Sequence, residues 1–219
     1  MQGRLLTLLV ILPWIASAAL GGAWPRAKGE TFLSLSGEIT EQDETGLYRQ
    51  SFGLYAEYGA TPRLTLGLDV NGDALRMSKA VAFLRWPLGA ADRKTKLALE
   101  IGAGQVAEET ALRPGLSVGR GFVLWDRNGW LNADTRAILR DGMGVAYETE
   151  LTAGLSVGDR VKAILQVQAG MPDEGQDYVR LAPSVVYALR PGFQVELGVL
   201  APVLGGGLGA VKLGVWSEL

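Results

Sequence analysis

Between residue 31 and the end of the chain, apolar and polar positions exchange almost residue by residue. This period of two sends successive side chains to opposite faces of a β-strand. Residues 63–71 set Leu64, Leu66, Leu68 and Val70 against Arg63, Thr65, Gly67, Asp69 and Asn71. Residues 48–58, 96–104, 147–157, 161–170, 179–189 and 193–199 repeat the pattern. Shorter stretches at 31–40, 79–86, 115–120, 131–139 and 209–219 bring the expected strands to twelve. Turn formers separate them, among them Thr61-Pro62, Asn71-Gly72-Asp73, Asp141-Gly142, Gly158-Asp159 and Pro191-Gly192. A tilted strand crosses a bilayer in about 9–11 residues, and the spacing leaves about six for each connection, an ordinary loop length.

A soluble sandwich and a membrane barrel both alternate, so the content of each face decides between them. The apolar face is Leu, Val, Ala and aromatic throughout, whereas the polar face is rich in small residues: Gly53, Gly67, Gly102, Gly104, Gly154, Gly170, Gly198 and Gly214. Small groups suit the crowded concave side of a narrow closed sheet. Tyr48, Tyr58, Trp86, Trp125, Trp130, Tyr147, Tyr187 and Phe193 fall near expected strand ends, where interfacial girdles lie. The fold predicted is all-β: a closed antiparallel up-and-down transmembrane β-barrel of twelve strands, or ten if 79–86 and 115–120 do not form strands. The alternative is a soluble periplasmic or surface β-barrel or sandwich that binds a small ligand.

Residues 1–18 depart from this pattern. A single early Arg4, an apolar run over 5–15 and Ala16-Ser17-Ala18 follow the order of a secretory signal peptide cleaved after Ala18. The run is too short, and interrupted by Pro13, for the ~20 residues a spanning helix needs. Domain organisation follows: signal peptide 1–18, a periplasmic N-terminal segment 19–30, and an outer-membrane barrel over 31–219.

Composition narrows the chemistry. The 219 residues include 30 Gly but no Cys and no His. Disulfides, thiol nucleophiles, imidazole bases and imidazole or thiolate metal sites are excluded. A net charge of −2 offers no basic field for nucleic acid. No catalytic, cofactor or metal residues are expected. The carboxylate pairs Glu108-Glu109 and Asp173-Glu174 read as solvated loop charge. Charges on the expected lumen face are Glu38, Arg49, Glu57, Asp69, Lys79, Arg85, Lys96, Glu100, Asp134, Arg136, Glu148, Glu150, Lys162, Arg180, Glu196 and Lys212. Eight acids and eight bases would make a mixed lining, either a polar path or a mutually neutralising plug.

Gly22 to Pro25 with Lys28-Gly29-Glu30, the segment from Tyr58 to Gly67 and Gly119-Arg120-Gly121-Phe122 resemble small, largely uncharacterised outer-membrane β-barrel proteins of Gram-negative bacteria. The resemblance implies outer-membrane lipid as surroundings and an insertion machinery that reads the last strand. Lys212-Leu213-Gly214 fits such a strand, while Ser217 and Leu219 stand where aromatics are usual. Barrel enzymes of similar size, such as phospholipases, lipid A deacylases or palmitoyltransferases and surface proteases, rely on a histidine this chain lacks. The reading is therefore a non-enzymatic barrel, monomeric, serving as a small channel or structural envelope component.

Overall fold

Each alternating stretch forms a strand in the computed structural model, which describes residues 22–219 apart from 43–45, 143 and 206. In chain order the strands are β1 (Thr31–Thr40), β2 (Gln50–Thr61), β3 (Leu64–Asp73), β4 (Met77–Leu88), β5 (Thr95–Val106), β6 (Glu109–Leu124), β7 (Arg127–Arg140), β8 (Val145–Ser156), β9 (Val161–Met171), β10 (Tyr178–Arg190), β11 (Phe193–Leu204) and β12 (Ala210–Glu218). Every strand pairs antiparallel with its neighbours in sequence, and β12 returns to β1. Reciprocal backbone bonds between Thr31 and Leu219, at 2.8 and 2.9 Å, finish the seam. No free edge remains, as a sheet in hydrocarbon requires. The strand count is thus twelve, not ten. The segment expected to be a signal peptide, 1–18, lies outside the described residues.

Two stretches expected to be short are the longest strands, because the turns beside them are tight. At 107–108 and 125–126 both residues of a two-residue turn have positive φ, 51° and 72° for Ala107 and Glu108, 49° and 56° for Trp125 and Asp126. This is the geometry whose twist matches paired strands. It extends β6 to 16 residues and β7 to 14. Glu108 therefore sits in a two-residue turn and Glu109 opens β6, where a longer loop was expected. Two prolines sit within strands. Pro114 pairs with Ile101 on one side while the β6 to β7 register skips from Leu112 to Gly115. Pro183 likewise pairs with Leu165 while the β10 to β11 register skips from Leu181 to Ser184. Each proline turns its missing N–H toward the ladder that is interrupted there.

The outward positions are apolar around the whole circumference. Leu35, Leu68, Leu84, Leu99, Leu116, Leu131, Leu151, Leu165, Val185, Leu197 and Leu213 are all exposed, one or more from every strand but β2, which supplies Phe52. A soluble monomer does not present so continuous an apolar surface. The inward positions hold the charges and glycines.

Of the eight aromatics expected as girdles, Trp130 points into the lumen although it lies near a strand end. It shares the inward parity of Asn132, Asp134 and Arg136 and is only 4% exposed. The reason is Gly154, its partner on β8: a Cβ there would overlap the indole, so the missing side chain makes room for the ring inside.

Candidate functional site

The lumen is built in three parts. At the end where both termini lie, Phe32, Trp130, Ile164, Val186 and Trp216 form a buried apolar floor, with Trp24 and Tyr55 packed against it. Phe32 meets Trp216 edge to face at 6.0 Å and Tyr55 at 6.4 Å. Glycines opposite inward rings leave them space, here and higher in the lumen: Gly154 under Trp130, Gly67 under Phe83, Gly170 under Tyr178.

A strap of residues 22–30 crosses this floor. Gly29 and Glu30 pair with Gly59 of β2 at the barrel rim, and the chain then turns inward. Arg26 donates its backbone N–H to Thr65 Oγ1 (3.2 Å) and its Nε–H to Glu57 (2.6 Å). Ala23 donates to Asn132 Oδ1 (3.3 Å), and the Trp24 indole lies over Gly119 of β6. The strap thus spans the lumen from β2 and β3 to β6 and β7.

Above the strap, on the β2 to β7 side, lies a block of ion pairs. Glu100 accepts from Arg85 (2.7 Å), Arg113 (3.1 Å) and Arg136 (3.3 Å). Arg85 also reaches Glu57, which takes the Tyr55 hydroxyl at 2.6 Å, and Arg113 also reaches Asp69. Lys79 pairs with Asp69 at 3.0 Å. Arg85 and Arg113 flank the Phe83 ring, 4.9 and 5.6 Å from its centroid. Glu57, Arg85, Glu100 and Arg113 are all nearly inaccessible to solvent. Charges so buried persist only when paired.

Beside this block the side chains stand apart and leave a cavity of about 360 Å³, walled by β7 to β12 and β1 and reaching β2 to β4. Its lining runs from Phe32, Trp130 and Trp216 at the floor to Lys79, Glu148, Arg180 and Lys212 above. Lys212 pairs with Glu196 at 3.1 Å, and the Trp216 indole N–H donates to the same carboxylate at 3.2 Å. Glu150 accepts from Gln166 (2.9 Å), Gln168 (3.3 Å) and Thr152 (3.3 Å). Asp134 accepts from Ser117 and Asn132.

Of the charges read from the sequence, Glu57, Asp69, Lys79, Arg85, Glu100 and Arg136 join the ion-pair block, and Glu38, Asp134, Glu148, Glu150, Arg180, Glu196 and Lys212 line the cavity. Lys162 lies lower, donating to Gln194 at 3.0 Å. Two stand elsewhere. Arg49 precedes β2 at the far rim and is exposed, and Lys96 folds over the 89–94 turn to the carbonyl of Ala91. Alternation alone could not separate them, since both keep inward parity but sit at strand ends. Asp173, read as solvated, is held by Arg140 at the upper mouth.

Arg26 and Arg113 were missed. Arg113 falls just before the expected strand 115–120, and Arg26 lies outside every alternating stretch. The signal for Arg113 was parity: Arg113, Gly115, Ser117 and Gly119 continue one face of β6.

No protein-family model and no curated protein matches the chain. Solved structures match in fold. The KdgM porin superposes with a TM-score of 0.65 at 9% identity, over 85% of this chain and 98% of that one. The NanC porin gives 0.63 at 10% identity, over 85% of this chain and all of that one. An outer membrane channel from Pseudomonas putida F1 gives 0.56 at 12% identity, over 92% of this chain and all of that one. At these identities the likeness is one of architecture: this chain has the closed barrel of outer-membrane channels.

Proposed function

We propose that the chain is a non-enzymatic outer-membrane barrel, exported with cleavage near Ala18, that acts as a narrow channel for small polar solutes. The observation that carries this is the pairing of an apolar outer surface with a polar cavity of about 360 Å³ inside a closed wall. The wall would sit in outer-membrane lipid with the apolar belt in hydrocarbon. The strap end, where three of five connections are only two residues long, would face the periplasm. The last strand presents Val211, Leu213 and Val215 outward for the insertion machinery, with Trp216 turned inward. A seam that closes on itself supports a monomer.

In this reading Glu148, Glu150, Arg180, Glu196 and Lys212 line the path, and the block around Glu100 is structural filling. The strap and floor narrow the periplasmic side. Three measurements test the proposal: fractionation with outer membranes, heat-modifiable migration on a gel, and planar-bilayer recording of the full chain. Discrete conductance steps are expected. Their absence from both the wild type and a chain whose strap has been loosened would leave a structural envelope component instead. Recovery as a soluble monomer without detergent would overturn the membrane reading altogether.

A further inference from the structure

One row of side chains crosses four strands of the cavity wall. Asp134 on β7 stands opposite Glu150 on β8, Glu150 opposite Gln168 on β9, and Gln168 opposite Arg180 on β10. All four line the cavity. The Gln168 amide joins the acidic and basic ends: its Nε2 donates to Glu150 Oε2 (3.3 Å), and its Oε1 accepts the Nε–H of Arg180 (2.6 Å).

The charges in this row differ from the ion-paired carboxylates of the lumen. Glu57, Asp69, Glu100 and Glu196 each meet a Lys or Arg within ion-pair distance. Among the described residues, Asp134 and Glu150 take hydrogen bonds only from the neutral donors Ser117, Asn132, Thr152, Gln166 and Gln168. Arg180 uses only Nε on Gln168, rests 5.8 Å from the Tyr178 ring centroid, and makes no ion pair among the described residues. Two like charges face each other across a strand pair; Arg136 and Lys212 are the nearby cations but make their ion pairs with Glu100 and Glu196, and the Arg180 guanidinium is held two strands from Glu150.

We infer that this row is a binding site for a zwitterionic α-amino acid. The ligand's ammonium group would meet Asp134 and Glu150, and its carboxylate the two free Nη groups of Arg180, whose fork suits a bidentate carboxylate. A simple cation would satisfy the acids but be repelled by Arg180, and a simple anion would meet the reverse. Only a molecule carrying both charges a few bonds apart sets a counter-charge against each end of the row. An apolar side chain would hang toward the Trp130 and Trp216 floor, and about 360 Å³ is ample for one such molecule. This names the solute class for the channel proposed above and rests on that reading for its role, although binding itself needs no conduction.

The test uses the full chain refolded in detergent micelles, with fold checked by heat-shifted gel migration, and titration calorimetry with L-leucine. N-acetyl-L-leucine lacks the ammonium group and L-leucine methyl ester lacks the carboxylate. Leucine is expected to bind at least about tenfold more tightly than either blocked form. Glu150→Gln should erase the preference over N-acetyl-leucine and keep that over the ester; Arg180→Gln should do the opposite. A merely damaged fold cannot produce that crossed pattern. No binding of leucine by the wild type up to on the order of 10 mM, or equal binding of the blocked forms, would overturn the site. Bilayer recording separates the two proposals: conductance without leucine binding removes the site and keeps the channel, while binding without conductance does the reverse.

Discussion

The indole of Trp24 lies against Gly119 of β6, so closely that a Cβ at Gly119 would overlap its ring. This contact fixes the far end of the strap that crosses the lumen, and a glycine is what allows it. Trp24→Ala removes the indole and Gly119→Leu fills the space it occupies, so the two variants loosen the strap from opposite sides. Both are expected to raise single-channel conductance severalfold over wild type in planar bilayers. Traces indistinguishable from wild type in both would mean that the strap does not obstruct the lumen.

Glu100 is the point where three guanidinium groups meet, and it is 3% exposed. Glu100→Gln keeps the shape but leaves Arg85, Arg113 and Arg136 short of one shared counter-charge. Breaking a buried pair this way costs about 3–5 kcal/mol. Urea unfolding in lipid vesicles should show a loss of that size. A loss below about 1 kcal/mol, the scale of exposed pairs, would mean that the block is hydrated and open.

Leu151 lies in the middle of β8 on the outer face and is 49% exposed. If that face meets lipid, Leu151→Arg places a charge near the hydrocarbon midplane and costs about 2–4 kcal/mol. Thr152→Gln, its lumen-facing neighbour, should cost far less. In a soluble barrel the order reverses, because an exposed Leu→Arg change lies within about 0.5 kcal/mol of neutral. Paired unfolding curves of the two variants distinguish the readings without any assay of transport.

The wall was legible in the sequence because parity alone assigns a side to each residue of a strand. Leu99, Ile101 and Glu100 separate with no knowledge of the neighbours. What parity does not reveal is where a strand stops. The turns at Ala107-Glu108 and Trp125-Asp126 carry no glycine, yet both residues adopt positive φ, so β6 and β7 run further than their turn signals suggest. For the same reason Arg113 falls just before the expected strand 115–120 although it is buried in the ion-pair block. The strap was illegible on different grounds. Ala23, Trp24 and Arg26 have no periodicity of their own, and their places are set by Asn132, Gly119 and Glu57, residues 31 to 109 positions away for the bonded pairs. The row from Asp134 to Arg180 needs the register of four strands before its missing ion pairs become visible.

Trp130 was assigned to the interface by its position near a strand end, but the glycine across from it takes it inside. The same device recurs at Gly67 with Phe83 and at Gly170 with Tyr178. In each case a ring on one strand occupies the volume vacated on the next. Such a pair also fixes register, because a shift of one residue would bring an inward ring against a strand position that carries a side chain. Gly154→Ala should therefore cost about 1–3 kcal/mol by overpacking against the indole. Trp130→Ala should cost more, since it empties part of the floor shared with Phe32, Ile164 and Trp216. The double variant is the informative one. If the two residues interlock, Gly154→Ala adds nothing once the indole is gone, and the coupling measured by urea unfolding in vesicles should equal most of the single Gly154 cost, within the roughly 0.5–3 kcal/mol seen for touching residues. Simple additivity would show that Gly154 serves backbone curvature alone, and that Trp130 is held inside by the floor and not by its neighbour.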